Sequence, residues 1–216
     1  MNWLSLELKK TNIKSYCFAA AAIFVCLLGQ LFSTYSGITA ISGAVGLMAF
    51  SALASAMGYR YVIREYSSAS AILLFTYPID RNNVVWAKIK LLLLFISITI
   101  LVCTFGGFIV FAFTGHMFSL VDDTLRLVDI ALAYRNALVL TCLTDGITLC
   151  SLRIGFIKKS NSMTVISAIL LSMLLVNLAA DINRSFTTVF CLSVVILVIG
   201  LLLTFNMARK VERMEV

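Results

Sequence analysis

Charge, proline and histidine are scarce in this sequence. Asp, Glu, Lys and Arg make up 12% of 216 residues, and there is one proline and one histidine. A soluble domain has about a quarter of its residues charged, so a water-soluble globular protein is excluded. The lone His116, with no HExxH pattern around it, has no imidazole partner for a zinc centre and reads as a surface residue beyond the third apolar run. No GxxxxGK[ST] loop is present, so the chain does not itself cradle a nucleoside triphosphate. Gly-x-Ser-x-Gly nucleophile settings are missing as well. Asp145-Gly146 matches the start of a lipid-headgroup transferase motif, but the arginine and later aspartates that would hold metal and nucleotide are lacking. No repeat of 20 to 50 residues occurs. None of the six cysteines (Cys17, Cys26, Cys103, Cys142, Cys150, Cys191) lies in a CxxC pair. All fall inside apolar runs, where they are expected to be small buried hydrophobes and not disulfides.

What remains is apolar. Hydrophobic residues make up 61% of the chain, and the mean hydropathy is +1.03. A hydrocarbon core about 30 Å thick is crossed by a helix of about 20 residues. Six apolar runs approach that length: 15–34, 37–58, 91–114, 137–152, 162–180 and 186–207. The expected fold is therefore all-α, a polytopic membrane protein of six transmembrane helices forming a single domain over residues 1–216. The first run follows the basic "MNWLSLELKKTNIK" but is not followed by a small-x-small cleavage site, so it is expected to be retained.

The runs differ in character. The second, "GITAISGAVGLMAFSALASAMG", is dominated by Gly, Ala, Ser and Thr and carries the small-xxx-small pairs Ala40/Ala44, Ser51/Ser55, Ala52/Ala56 and Ala54/Gly58. Small side chains let helix backbones approach closely, which places this helix in the bundle core or at a subunit interface. The third, "LLLLFISITILVCTFGGFIVFAFT", is bulky and suits a lipid-facing position. Residues 117–135 allow two readings. Ser119 with Asp122 caps an interfacial helix bearing Leu125, Val128 and Leu132, or the segment extends the fourth span.

Basic residues orient the bundle. With both termini in the cytosol, the inner segments hold Lys9, Lys10 and Lys14; Arg60, Arg64, Arg81, Lys88 and Lys90; Arg153, Lys158 and Lys159; and Arg209, Lys210 and Arg213. Of the 17 basic residues, only Arg126, Arg135 and Arg184 then lie outside. The positive-inside rule selects this orientation. The net charge of +7 is thereby assigned to the inner membrane face and not to nucleic acid.

Asp145 is the one acid well inside an apolar run. A carboxylate at mid-bilayer costs about 3 kcal/mol on insertion scales, so it is expected to face a partner or a wet cavity on a substrate pathway; the plain alternative is a packing residue. Gln30 and Asn177 are weaker pathway candidates, each equally suited to an interhelical hydrogen bond.

Residues 59–90, "YRYVIREYSSASAILLFTYPIDRNNVVWAKIK", are cytoplasmic on the charge argument, and within them residues 65–88 are the longest stretch that is not plainly lipid-soluble. Tyr66, Ser70, Leu73, Leu74 and Tyr77 share one helical face and Pro78 stops the helix, giving a short amphipathic helix on the cytoplasmic side. It is too short to span, so it lies on the bilayer or docks into another protein. Arg64/Glu65 and Asp80/Arg81 form its charged flanks.

The order "E…LLFTYPIDR…VVWAKI" resembles the segment in ABC-2-type transporter permeases where a Glu leads a short helix into a P-[ILV]-x-R turn and a Lys opens the third span. Those positions are Glu65, Pro78, Arg81 and Lys88. The start, "LSLELKKTNIKSY", is similar to the connecting helix that precedes the first span in small bacterial members, with Trp3, Leu4 and Leu8 facing the membrane and Glu7, Lys9 and Lys10 polar. The resemblance implies a multi-pass permease subunit in the bacterial cell membrane, paired with a second permease, identical or homologous, and with two ABC ATPase subunits. ATP and Mg would be bound on those partners; the chain itself would bind no cofactor and catalyse no reaction. The segment after the second span would be the ATPase-coupling helix, with Arg64, Glu65, Tyr66, Leu73, Leu74, Tyr77, Pro78, Arg81 and Lys88 as its contacts. The implied cargo is a peptide, antibiotic or lipid-like molecule moved outward. One departure is the connection "DINRS" between the last two spans, too short for the re-entrant outer helices of larger members. The alternative function is a membrane scaffold or immunity protein acting without an ATPase.

Overall fold

The computed structural model describes residues 35–63, 81–118, 127–180 and 185–212. Over these the chain is helical, with no strand among the described residues. The helices are α1 (Tyr35–Gly58), α2 (Arg81–Phe118), α3 (Leu127–Lys158), α4 (Asn161–Ala180) and α5 (Phe186–Glu212), with a π-helical turn, Tyr59–Ile63, continuing α1. Four of them contain stretches long and apolar enough to cross a bilayer: Val84–Gly107, Ala133–Lys158, Asn161–Leu178 and Phe186–Met207. The protein is thus a multi-pass helical membrane protein. The small-residue second run forms α1. The first run, the N-terminal helix and residues 64–80 lie outside the described residues.

Internal hydrogen bonding lets each helix sit in lipid, because every backbone group within it is satisfied by its own turn. The ends are handled by short polar residues. The Ser160 carbonyl accepts from the Thr164 N–H (3.3 Å) and the Ser185 carbonyl from the Val189 N–H (3.1 Å), so both serines close the first turns of α4 and α5. Between α3 and α4 only Lys159 and Ser160 intervene. Lys159 adopts φ 50°, the left-handed conformation that reverses a chain leaving a helix and is more often given to glycine. The Tyr59 hydroxyl donates to the Lys159 carbonyl (3.3 Å), fastening the end of α1 to this turn.

The bundle is organised around α3, which packs against each of the other four helices. Its Leu143, Ile147, Leu149 and Leu152 are fully buried, with Leu47 and Phe50 of α1 and Ile89, Ile96 and Ile100 of α2 also in the core. Two glycines allow two helix backbones to touch. A Cβ on Gly146 would stand 3.0 Å from the Leu197 backbone nitrogen, and one on Gly200 would stand 3.0 Å from the Gly146 carbonyl oxygen. At this crossing α3 and α5 meet backbone to backbone, which only glycine permits.

The structure lengthens the fourth span. The apolar run predicts 137–152, whereas α3 extends from Leu127 to Lys158 without a break. From Leu127 onward, therefore, the segment extends the spanning helix and forms no separate interfacial one. A helix satisfies its own backbone wherever it runs, so the charged residues that end the apolar run do not end the helix. Arg135 illustrates this: its guanidinium lies 4.1 Å from the centroid of the Phe186 ring at the start of α5. The third apolar run is largely exposed on the outside of the described bundle, with Leu94, Ile98, Val102 and Ile109 exposed. In α1 the pairs Ser51/Ser55 and Ala54/Gly58 are buried, while Ala52 and Ala56 are only partly so.

Candidate functional site

Asp145 lies midway along α3 and is 8% exposed. Ser97 on α2 reaches it: the Ser97 hydroxyl lies 3.0 Å from Asp145 Oδ2 and 2.9 Å from the carbonyl of Leu93. Its single proton can be given to either acceptor. The other carboxyl oxygen, Oδ1, is buried and has no hydrogen-bond partner among the described residues. Because the neighbouring Gly146 seats α3 directly on the α5 backbone, the helix carrying the carboxyl is held on one side by α5 and on the other by the Ser97 contact. Removing a partner from a buried polar atom costs about 1–3 kcal/mol, more for a charged one, so an orphan oxygen here demands a ligand or a role.

The surroundings of Asp145 are hydroxyl-rich. Thr141, Thr144, Thr148 and Ser151 on the same helix are buried. Each donates to a carbonyl three or four residues back in α3, at 2.7 to 2.8 Å. Their protons are thereby used up locally, and what they present across the helix interface is oxygen lone pairs. Cys142, one turn before Asp145, is partly buried and free.

A second region lies at one end of the bundle. The C-terminal ends of α1 and α3 meet the N-terminal ends of α2 and α4 there: Gly58 faces Leu92 and Leu152, and Gly155 faces Thr164 and Ile63. The C-terminal part of α5 arrives at the same end, where Trp86 and Phe205 rings sit 6.3 Å apart. Arg60, Lys90, Lys158 and Lys159 are exposed at this end, and Arg153 is partly buried, its Nη1 without a hydrogen-bond partner among the described residues. Lys88, assigned by the resemblance to partner contact, is only 5% exposed. Its stem packs inside the bundle, and it is not displayed on an outer surface. Arg81 begins α2. Arg64, Glu65, Tyr66, Leu73, Leu74, Tyr77 and Pro78 lie outside the described residues, as does Gln30.

Asn177 is exposed near the C-terminal end of α4 and is not among the groups gathered around Asp145. Cys103 is buried and Cys150 partly so, as expected, but Cys191 is exposed on the apolar flank of α5 beside Leu192. Among the described residues no cluster of three His, Cys, Asp or Glu could hold a metal ion. Ser97 and the Gly146/Gly200 pair are absent from the residues the sequence singles out. Ser97 sits in "LLLLFISITIL" with nothing local to mark it, and a partner 48 residues away leaves no periodic trace. One carboxyl, one serine and a row of lone pairs can recognise charge. No family model matches the chain, and no curated protein or solved structure is detectably similar to it.

Proposed function

We propose that this chain is the membrane-spanning subunit of an ATP-binding cassette exporter of the ABC-2 type, working with separate ATPase subunits and a second permease. The observation that carries the reading is the gathering of four helix ends and most of the described basic residues at one end of the bundle. The connection 64–80 leaves and re-enters at that same end, between the π-helical turn and α2. Positive charge marks the cytosolic side, so an amphipathic segment in that connection is available to a cytosolic ATPase.

Coupling requires that the two states of the ATPase pair make different contacts with the permease. The architecture supports a mechanical route. The π-helical turn packs on α2, α3 and α4, and Tyr59 ties it to the α3–α4 turn. A push on residues 64–80 is then delivered to the N-terminal end of α2 and to the helix that carries Asp145. The 38 residues of α2 extend about 57 Å at 1.5 Å per residue, longer than the hydrocarbon core, and the excess gives it a lever outside the membrane.

The test is co-purification of the chain with an ATPase subunit, followed by the double substitution Leu73→Asp/Leu74→Asp. Two carboxylates in a docking groove cost several kcal/mol unless paired. The double variant is expected to insert normally and to lose at least tenfold in substrate-stimulated ATP hydrolysis. Unchanged hydrolysis and transport would refute the docking role and favour a scaffold that needs no ATPase.

A further inference from the structure

The buried polar surface of the bundle has one sign of hydrogen-bonding capacity. Every buried serine and threonine among the described residues donates to a carbonyl three or four residues back. With their protons directed back along the chain, they offer lone pairs toward the interior. Asp145 Oδ1 is a further acceptor, buried and without a hydrogen-bond partner among the described residues. Thr141, Asp145 and Thr148 stand at i−4, i and i+3 and so share one face of α3. Apart from the Ser97 hydroxyl, whose proton goes to Oδ2 or to the Leu93 carbonyl, the groups here are acceptors, an arrangement that disfavours an anion or a carbonyl and welcomes a group that brings protons.

We infer that Asp145, with Ser97 beside it, binds the ammonium group of an amphipathic amine, which makes the cargo class of the exporter cationic; the transport part of this statement rests on the function proposed above. An ammonium carries three donors and no acceptor, which suits one carboxylate oxygen and two or three hydroxyl lone pairs. A hard metal cation fits poorly, since calcium takes six to eight oxygens and magnesium demands an octahedron. The apolar part of the ligand has a place as well. Ser97 and Cys142 are partly exposed, so the seam between α2 and α3 reaches the surface, and Leu94 and Ile98, on either side of Ser97, are 62% and 51% exposed. An alkyl chain lying on these residues leaves its head at Asp145. The titratable groups facing the carboxyl among the described residues are few: Cys142 on α3, with only Ser97 reaching it from α2 and the glycine crossing on the α5 side.

The experiment uses the full chain in lipid nanodiscs, without the ATPase, and compares dodecylamine with N-dodecylacetamide, which has the same chain but no charge. The wild-type protein is expected to bind the amine at least tenfold more tightly, and Asp145→Asn to bring the two within about twofold of each other. Equal binding of both by the wild type, or an unchanged preference in Asp145→Asn, would overturn the inference. A second measurement needs no substitution: maleimide labelling of Cys142 and Cys191, resolved by peptide mass. Dodecylamine should slow labelling of Cys142, beside the site, and leave Cys191 on α5 untouched; slowing of both alike indicates general partitioning into the bilayer and overturns the inference. Neither arm depends on ATP, so failure here leaves the Leu73/Leu74 result standing, and failure there leaves this one.

Discussion

Two helices joined by a two-residue turn are almost opposite in character. Of the membrane-length window of α3, 72% is buried inside the protein; of the window of α4, 17% is. The buried helix holds the threonines, the aspartate and the glycines; the exposed one displays Ile166, Leu170, Met173 and Leu174. In water the hydrophobic effect would sort these residues the other way. In lipid, tails are as apolar as leucine, and association is driven by close packing and polar contacts. Apolar content therefore says that a helix is in the membrane, and small or polar content says which helix is at the centre.

That contrast can be broken at its strongest point. Gly146→Leu places a side chain against the α5 backbone, which has no rotamer to yield; overpacking costs about 1–3 kcal/mol even where neighbours can shift. The variant is expected to lose the folded fraction in a detergent-unfolding titration, while Leu174→Ala, at a position 75% exposed, should stay within about 0.5 kcal/mol of wild type. If both behave alike, α3 is not the hub. The next largest effect compares truncations of equal size. Leu143→Ala, fully buried, should cost about 2–5 kcal/mol, and Leu170→Ala, exposed on α4, a small fraction of that by the same titration.

Smaller effects sharpen the picture at the edges. Arg135→Gln removes the cation from the Phe186 ring and should cost about 0.5–1 kcal/mol, with Phe186→Leu giving a similar loss and the double variant no further one. Thr148→Val should be the mildest. Its hydroxyl returns to its own helix at Thr144, so losing it is expected to cost less than about 0.6 kcal/mol, the average for polar contacts in membranes. A large loss would mean that Thr148 bonds across helices.

Much of this was legible in the sequence, for physical reasons that can be traced. Membrane class, helical fold and the outward-exposed third apolar run follow from the length and bulk of apolar runs, which the bilayer dictates. The central place of α3 did not follow. Its apolar run is the shortest of the six because Arg135, Asn136 and Arg153 bound it, yet the helix continues through them. Asp145 stood out because a lone acid in an apolar run is expensive wherever it sits. Its partner Ser97 did not, since a serine in lipid is cheap and common. Gly146 was visible only as part of a dipeptide motif. That it meets Gly200 is a statement about two residues 54 positions apart on different helices, and no local pattern encodes it.

The turn at Lys159 has a further bearing, on biogenesis. So short a link lets α3 and α4 enter the membrane as a helical hairpin, and the segment carrying an acid and many hydroxyls need not partition alone. Its greasy sibling can shelter it during insertion, so lengthening that link should matter more to assembly than to the finished protein.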